Sequence, residues 1–170
     1  MKQKFLALIL FTALTLGVAA ASAPSAALAA PRADSHPALF DKTRFVFHLG
    51  LAYFAFHHFV YNPYKAGDFK KGAPHRTAKI IKAGVALLVT YHELSKAYSI
   101  AKGSNSKTLQ TLVKPLSALV GQASRIADKL KGGQYDNTEV TGLVNSANGF
   151  SRQATKNGVS IKDVPVPGLG

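Results

Sequence analysis

Cysteine is absent from the 170 residues of this chain, and that absence excludes several kinds of protein at once. A disulfide framework, a lipid-anchor cysteine, covalent c-type haem attachment and cysteine-ligated zinc all need a thiol. Apolar packing is left to hold the fold together.

Acidic side chains are scarce too, with 8 Asp and Glu against 21 Lys and Arg. Glu93 and Glu139 are the only glutamates, and the aspartates fall mostly where helix caps and loops use them. The sequence has no nucleophile elbow, no phosphate-binding Gly-Lys-Ser/Thr loop and no glycosidase-like pair of carboxylates. These absences favour binding over catalysis. No recognisable nucleic-acid motif accompanies the basic charge, so nucleic acid is a disfavoured partner.

The N-terminus is compositionally distinct. Met1-Lys2-Gln3-Lys4 is followed by an apolar run from Phe5 to Val18 and then by small residues ending Ala27-Leu28-Ala29-Ala30-Pro31. A basic head, an apolar segment and an Ala-x-Ala site describe a secretory signal peptide, residues 1–29, cut after Ala29 or Ala30. Pro31 favours the earlier cut. The expected location is secreted or extracytoplasmic. Removing Lys2 and Lys4 lowers the formal charge of +13 by two, to +11. A charge of that size attracts polyanions, which outside a cell are lipid head groups and envelope polymers.

Helical periodicity predicts an all-α protein, an antiparallel four-helix bundle in residues 30–158. The first helix runs over about 37–62, opened by Pro37 and ended by Pro63, because proline disfavours helical geometry at the residue before it. Its stretch from Phe45 to Tyr64 is crowded with Phe, Tyr and His and is apolar on opposite sides, as in a buried central helix or a membrane segment. The second helix covers about 74–102, starting at Pro74. Its stripe of Ile80, Gly84, Leu87, Leu88, Tyr91, Leu94 and Tyr98 is expected to pack on the first helix, with Gly84 allowing close approach.

Ser106 is the expected N-cap of a third helix, 106–131, with Leu109, Leu112, Leu116, Leu119, Ala123, Ile126 and Leu130 at helical spacing. Pro115 inside it predicts a bend or a late start. Asp136 with Glu139 resembles a capping box that opens a fourth helix, 136–157. Residues 159–170, with Pro165 and Pro167, form an extended tail. A rival arrangement pairs Phe45–Tyr61 with Ile80–Tyr91 as a membrane hairpin. Three histidines in the first segment and Lys82 in the second count against it.

Two groups of residues stand out. Lys65, Lys70, Lys71, His75, Arg76 and Lys79 cluster at the connection into the second helix, with Tyr61 and Tyr64 as an aromatic rim. Unsatisfied N–H groups and the positive end of the helix dipole make that helix start an anion seat, to which lysines add attraction and Arg76 a planar fork. The expected partner is an anionic envelope polymer or a membrane surface, and no cofactor is required. The alternative is a haem or a divalent metal held between His48 and His92, which a rise of about 1.5 Å per residue brings close together across the hairpin. His57 and His58 go to the loop end with His75.

Overall fold

The computed structural model describes residues 37–169, with side chains from Leu39 onward. Residues 1–36, which hold the expected signal peptide and lead-in, and Gly170 lie outside the described residues. All regular structure within them is helical: α1 Pro37–Phe56, a π-helical turn His57–Tyr61, α2 Asn62–Ala66, α3 Arg76–Gly103, α4 Lys107–Lys131 and α5 Asn137–Lys156.

Pro63 does not end the first helix. A proline ring inside an α-helix meets the carbonyl four residues earlier, here that of Phe59. The π turn before it widens the spiral, and Asn62 donates its backbone N–H to the carbonyl of His57, five residues back. The chain stays helical to Ala66 and stops at Gly67, whose φ of 78° suits glycine. There the Gly67 N–H bonds to Tyr64 O and the Asp68 N–H to Pro63 O, which closes the helix end.

The second helix begins two residues later than Pro74 suggests, at Arg76. His75 precedes it with φ 54° and gives no side-chain cap. Pro115 neither delays nor breaks α4, which runs unbroken from Lys107 to Lys131. Leu109 and Leu112 before the proline and Leu116 after it are all fully buried, so packing holds both sides of the missing hydrogen bond in place. Ser106 starts this helix without a side-chain bond. Ser104 serves instead, accepting from the Ser106 N–H and, through its carbonyl, from Gln110. The predicted cap of α5 is present: Asp136 accepts from the backbone N–H groups of Thr138 and Glu139. Glu139 does not complete the box, because its carboxylate binds Lys129 of α4.

Four helices pack together: α3 has α1 and α4 as long neighbours, and α4 has α3 and α5. Thr90 reaches Ala52 while Glu93 reaches His48, so numbers fall along α3 as they rise along α1. Lys129 with Glu139, and Thr111 with Asn157, relate α4 and α5 in the same sense. Gly84 is a point of close approach, but to α4 and not α1. A Cβ there would lie 2.6 Å from the Leu130 carbonyl carbon and nearer still to the Lys131 nitrogen.

The core draws Phe45, Leu49 and Phe56 from α1, Ile80 and Leu87 from α3, Leu112 and Leu116 from α4, and Val140 and Leu143 from α5. The tail belongs to it. After Gly158 at φ 73°, the Val159 N–H bonds to Ala154 O, and the Val159 side chain is fully buried. Farther on, the Val164 N–H bonds to Gly50 O, and a Cβ on Gly50 would strike Val164. Beneath the tail is a small apolar cavity of about 30 Å³, bordered by Tyr53, Leu94, Leu119, Phe150 and Ile161 among others.

Candidate functional site

The basic connection between α2 and α3 is a folded structure rather than a loose loop. Phe69 is 1 % exposed and anchors it, beside the ring of Tyr135. Arg76 donates through Nε to the Phe69 carbonyl at 2.8 Å, and its guanidinium lies 5.7 Å from the Tyr135 ring centroid. Lys79 binds Asp68 at 2.7 Å. Two of the six predicted anion ligands thus hold the connection in shape.

Lys65 and Lys70 border a surface groove of about 230 Å³ together with Tyr64, Phe69, Tyr135 and Asn137. Lys71 and His75 are exposed on the same connection. Tyr64 shares a hydrogen bond with Thr141 of α5 at 2.8 Å, fixing one wall of this groove. Tyr61 does not border it; its ring packs on His57 and Phe56 and carries the Lys65 ammonium 5.5 Å from its centroid. Burial pushes the Tyr135 phenol above its ordinary value, with Tyr64 and Asp136 adding to the rise and Arg76 opposing it.

His48 and His92 line one groove between α1 and α3, of about 560 Å³, with Arg44, Ser95, Lys96 and Ser99. They are not an equivalent pair. His48 Nδ1 lies 2.6 Å from Glu93 Oε2, both side chains being mostly covered, whereas His92 is largely exposed and stands 3.9 Å from the other carboxylate oxygen. Lys96 approaches that same oxygen at 3.6 Å. One buried carboxylate thus bonds to one imidazole and has a second imidazole and an ammonium nearby. No group of three metal-ligating side chains occurs among the described residues.

His57 and His58 project from the π turn to either side of Asp163 on the tail, each 3.8 Å from one of its oxygens. His57 also packs on Tyr53 at 3.9 Å between centroids. Burial lowers the His57 imidazole below its ordinary value; Asp163 pulls the other way and His58 adds to the fall.

Sequence reasoning did not find Glu93 beneath His48, the Arg44 and Lys96 edges of that groove, Tyr135 under Arg76, or Asp163 between the histidines. Glu93 had a signal, since it adjoins His92, which the same register brings close to His48. Asp163 had none, because the tail has no periodicity from which to place it. Compared with models of known protein families, with curated proteins and with solved structures, the chain matches none.

Proposed function

We propose that this is an exported, basic, antiparallel helical-bundle protein that binds an anionic component of the cell envelope, a lipid head group or a phosphate-rich polymer. The contact is made at the connection from α2 to α3 by Lys65, Lys70, Lys71 and His75, with Arg76 and Lys79 holding the backbone that presents them. One observation carries the reading: the only carboxylate of that connection, Asp68, is bound to Lys79, which leaves Lys65 and Lys70 beside a groove walled by tyrosines. Ammonium groups on flexible stems suit repeated phosphates better than one rigidly placed anion.

The test compares two triple variants of equal charge change. Lys65, Lys70 and Lys71 become Gln in one; Lys107, Lys114 and Lys156, exposed on α4 and α5, become Gln in the other. Binding of polyphosphate and of anionic vesicles by the mature chain is followed as salt is raised, because exposed charges are screened within about 10 Å at 0.1 M. A loss at least tenfold larger for the first variant supports the site. Equal losses reduce it to ordinary surface charge.

A second reading rests on the shared groove of His48 and His92. Glu93 holds His48 through Nδ1 and leaves Nε2 as its remaining ligand atom, an arrangement that orients metal-binding histidines elsewhere. A Soret band, or stoichiometric metal in protein purified from its own host and lost in His48→Ala, would establish haem or metal binding in place of the anion reading.

A further inference from the structure

All six exposed large hydrophobic side chains among the described residues, Leu39, Phe40, Phe47, Ile81, Val85 and Tyr91, belong to α1 or α3. None lies on α4 or α5. Folding does not account for them, because α1 buries Phe45, Leu49 and Phe56 on its other side, and α3 buries Ile80, Ala83 and Leu87.

The helical register puts much of this apolar surface on one outer face. Phe40, Phe47 and Phe54 recur every seven residues, which keeps them on one side of α1. Ile81, Val85 and the half-buried Leu88 recur at spacings of four and three along α3. The seam between the helices is marked by His48 with Glu93 and by Thr90 with Ala52. The apolar strip lies about a third of a turn from that seam on α1 and somewhat farther round on α3, in each case on the side away from the core.

The charge beside these strips is mostly positive, with Asp163 of the tail at the π-turn end, near His57 and His58. Lys82 places its ammonium 4.8 Å from the centroid of Phe59, and Arg44 its guanidinium 5.6 Å from that of Phe40. Lys96 edges the groove beside them. The carboxylates of α1 and α3 are Asp41, which is partly buried, and Glu93, which is buried and bonded to His48.

From this arrangement we infer that the outer face of α1 and α3 docks on an anionic lipid bilayer, lying flat in its interface. Phe47, Phe54, Ile81 and Val85 enter the acyl boundary while Arg44, Lys82 and Lys96 reach phosphates. The inference rests on the anionic-envelope reading and names the lipid surface as its source. Charge complementarity selects this occupant: a second copy stacked on the same face would set Arg44, Lys82 and Lys96 against their own equivalents, whereas phosphates neutralise them. Aromatic rings with cationic neighbours match the interface, where one end of a side chain is dry and the other wet. Among the described residues no helix is long and apolar enough to cross a membrane, so the contact proposed is with its surface.

The chain contains no tryptophan, which makes a single introduced indole a clean reporter of depth. Phe47→Trp and, on the exposed side of α4, Ala118→Trp are made in the mature chain and mixed with vesicles of phosphatidylcholine and phosphatidylglycerol carrying brominated acyl chains. The expected result is a blue shift and quenching at position 47 and neither at 118. Phe47→Ser with Val85→Ser should weaken vesicle binding at least tenfold while helical content and polyphosphate binding stay unchanged. Vesicle binding without quenching at 47, or polyphosphate binding without vesicle binding, overturns the docking face and leaves the anionic-envelope reading standing. A blue shift that grows with protein concentration in the absence of lipid assigns the face to a second copy and overturns the inference as well. Failure of the wild-type mature chain to bind either vesicles or polyphosphate removes both readings together.

Discussion

Helices α4 and α5 are apolar on one side, whereas α1 and α3 are apolar on more than one. In the first pair the predicted stripe and the buried set nearly coincide: Leu109, Leu112, Leu116, Leu119, Ala123, Ile126, Ala127 and Leu130 of α4 are all buried. In the second pair the core takes Phe45, Phe56, Ile80 and Leu87 and leaves Phe47, Ile81 and Val85 in the open. Packing explains the whole pattern of α4 and α5. It explains only part of the pattern of α1 and α3, and the remainder calls for a use outside the fold.

The widest separation between the two pairs should appear in stability. Leu116→Ala empties a fully buried position in α4 and should cost about 2–5 kcal/mol in chemical unfolding. Phe47→Ala removes a larger side chain that is half exposed and should change stability by less than about 1 kcal/mol. A comparable cost for the two would mean that the outer face of α1 is covered within the folded chain, and the contrast would disappear.

Gly84→Ala probes the seam where the two regions meet. The added methyl would strike backbone at Leu130 and Lys131, which cannot rotate away as a side chain can. A loss of about 1–3 kcal/mol in urea unfolding is expected. Near-neutral behaviour would mean that α3 and α4 separate there easily.

The starts of the helices differ as well. Asp136 caps α5 with two hydrogen bonds, so Asp136→Ala should lower stability by about 1 kcal/mol. No side chain caps α3, and His75 stands in the left-handed region. His75→Gly should therefore leave thermal stability unchanged or raise it slightly, by up to about 1 kcal/mol. A clear loss would assign the His75 side chain a contact of its own.

The smallest effect is the pH response of the tail on α1. Because burial lowers His57, the folded protein takes up that proton less readily than the unfolded chain. Its contribution is complete above the unfolded value of about 6.5 and is lost as pH falls from there toward the lower folded value. The melting temperature should decline over that window, and His57→Gln should lessen the decline. An unchanged profile in the variant would leave His57 without a part in it.

How much was legible varies by element for physical reasons. The stripe of α4 and the cap at Asp136 depend on residues within a turn or two of one another, which periodicity and capping chemistry report directly. Pro63 reads as a terminus because proline disfavours helical geometry at the residue before it, yet Asn62, after the π turn at His57–Tyr61, keeps helical geometry at φ −64° and ψ −48°. Gly84 was legible as a close approach but was assigned to the wrong neighbour. A stripe says which side of a helix is covered and not by what. At the candidate site, the clustering of Lys65, Lys70 and Lys71 was evident from the sequence. The ties of Arg76 to Phe69 and of Lys79 to Asp68 depend on the path of the connection, and short-range patterns do not specify it.

By itself the sequence determined that the chain is helical, where four long helices lie to within a few residues, that no thiol chemistry is available, and that the surface is strongly cationic. Those properties follow from composition and from interactions spanning about five residues or fewer. Only the tertiary structure decided that α3 packs between α1 and α4, that His48 meets Glu93, that the tail lies on Gly50 with Asp163 between two histidines, and that the surplus apolar surface of α1 and α3 faces outward. Each of those contacts joins residues tens of positions apart, and only the packing of the whole core selects which distant surfaces meet.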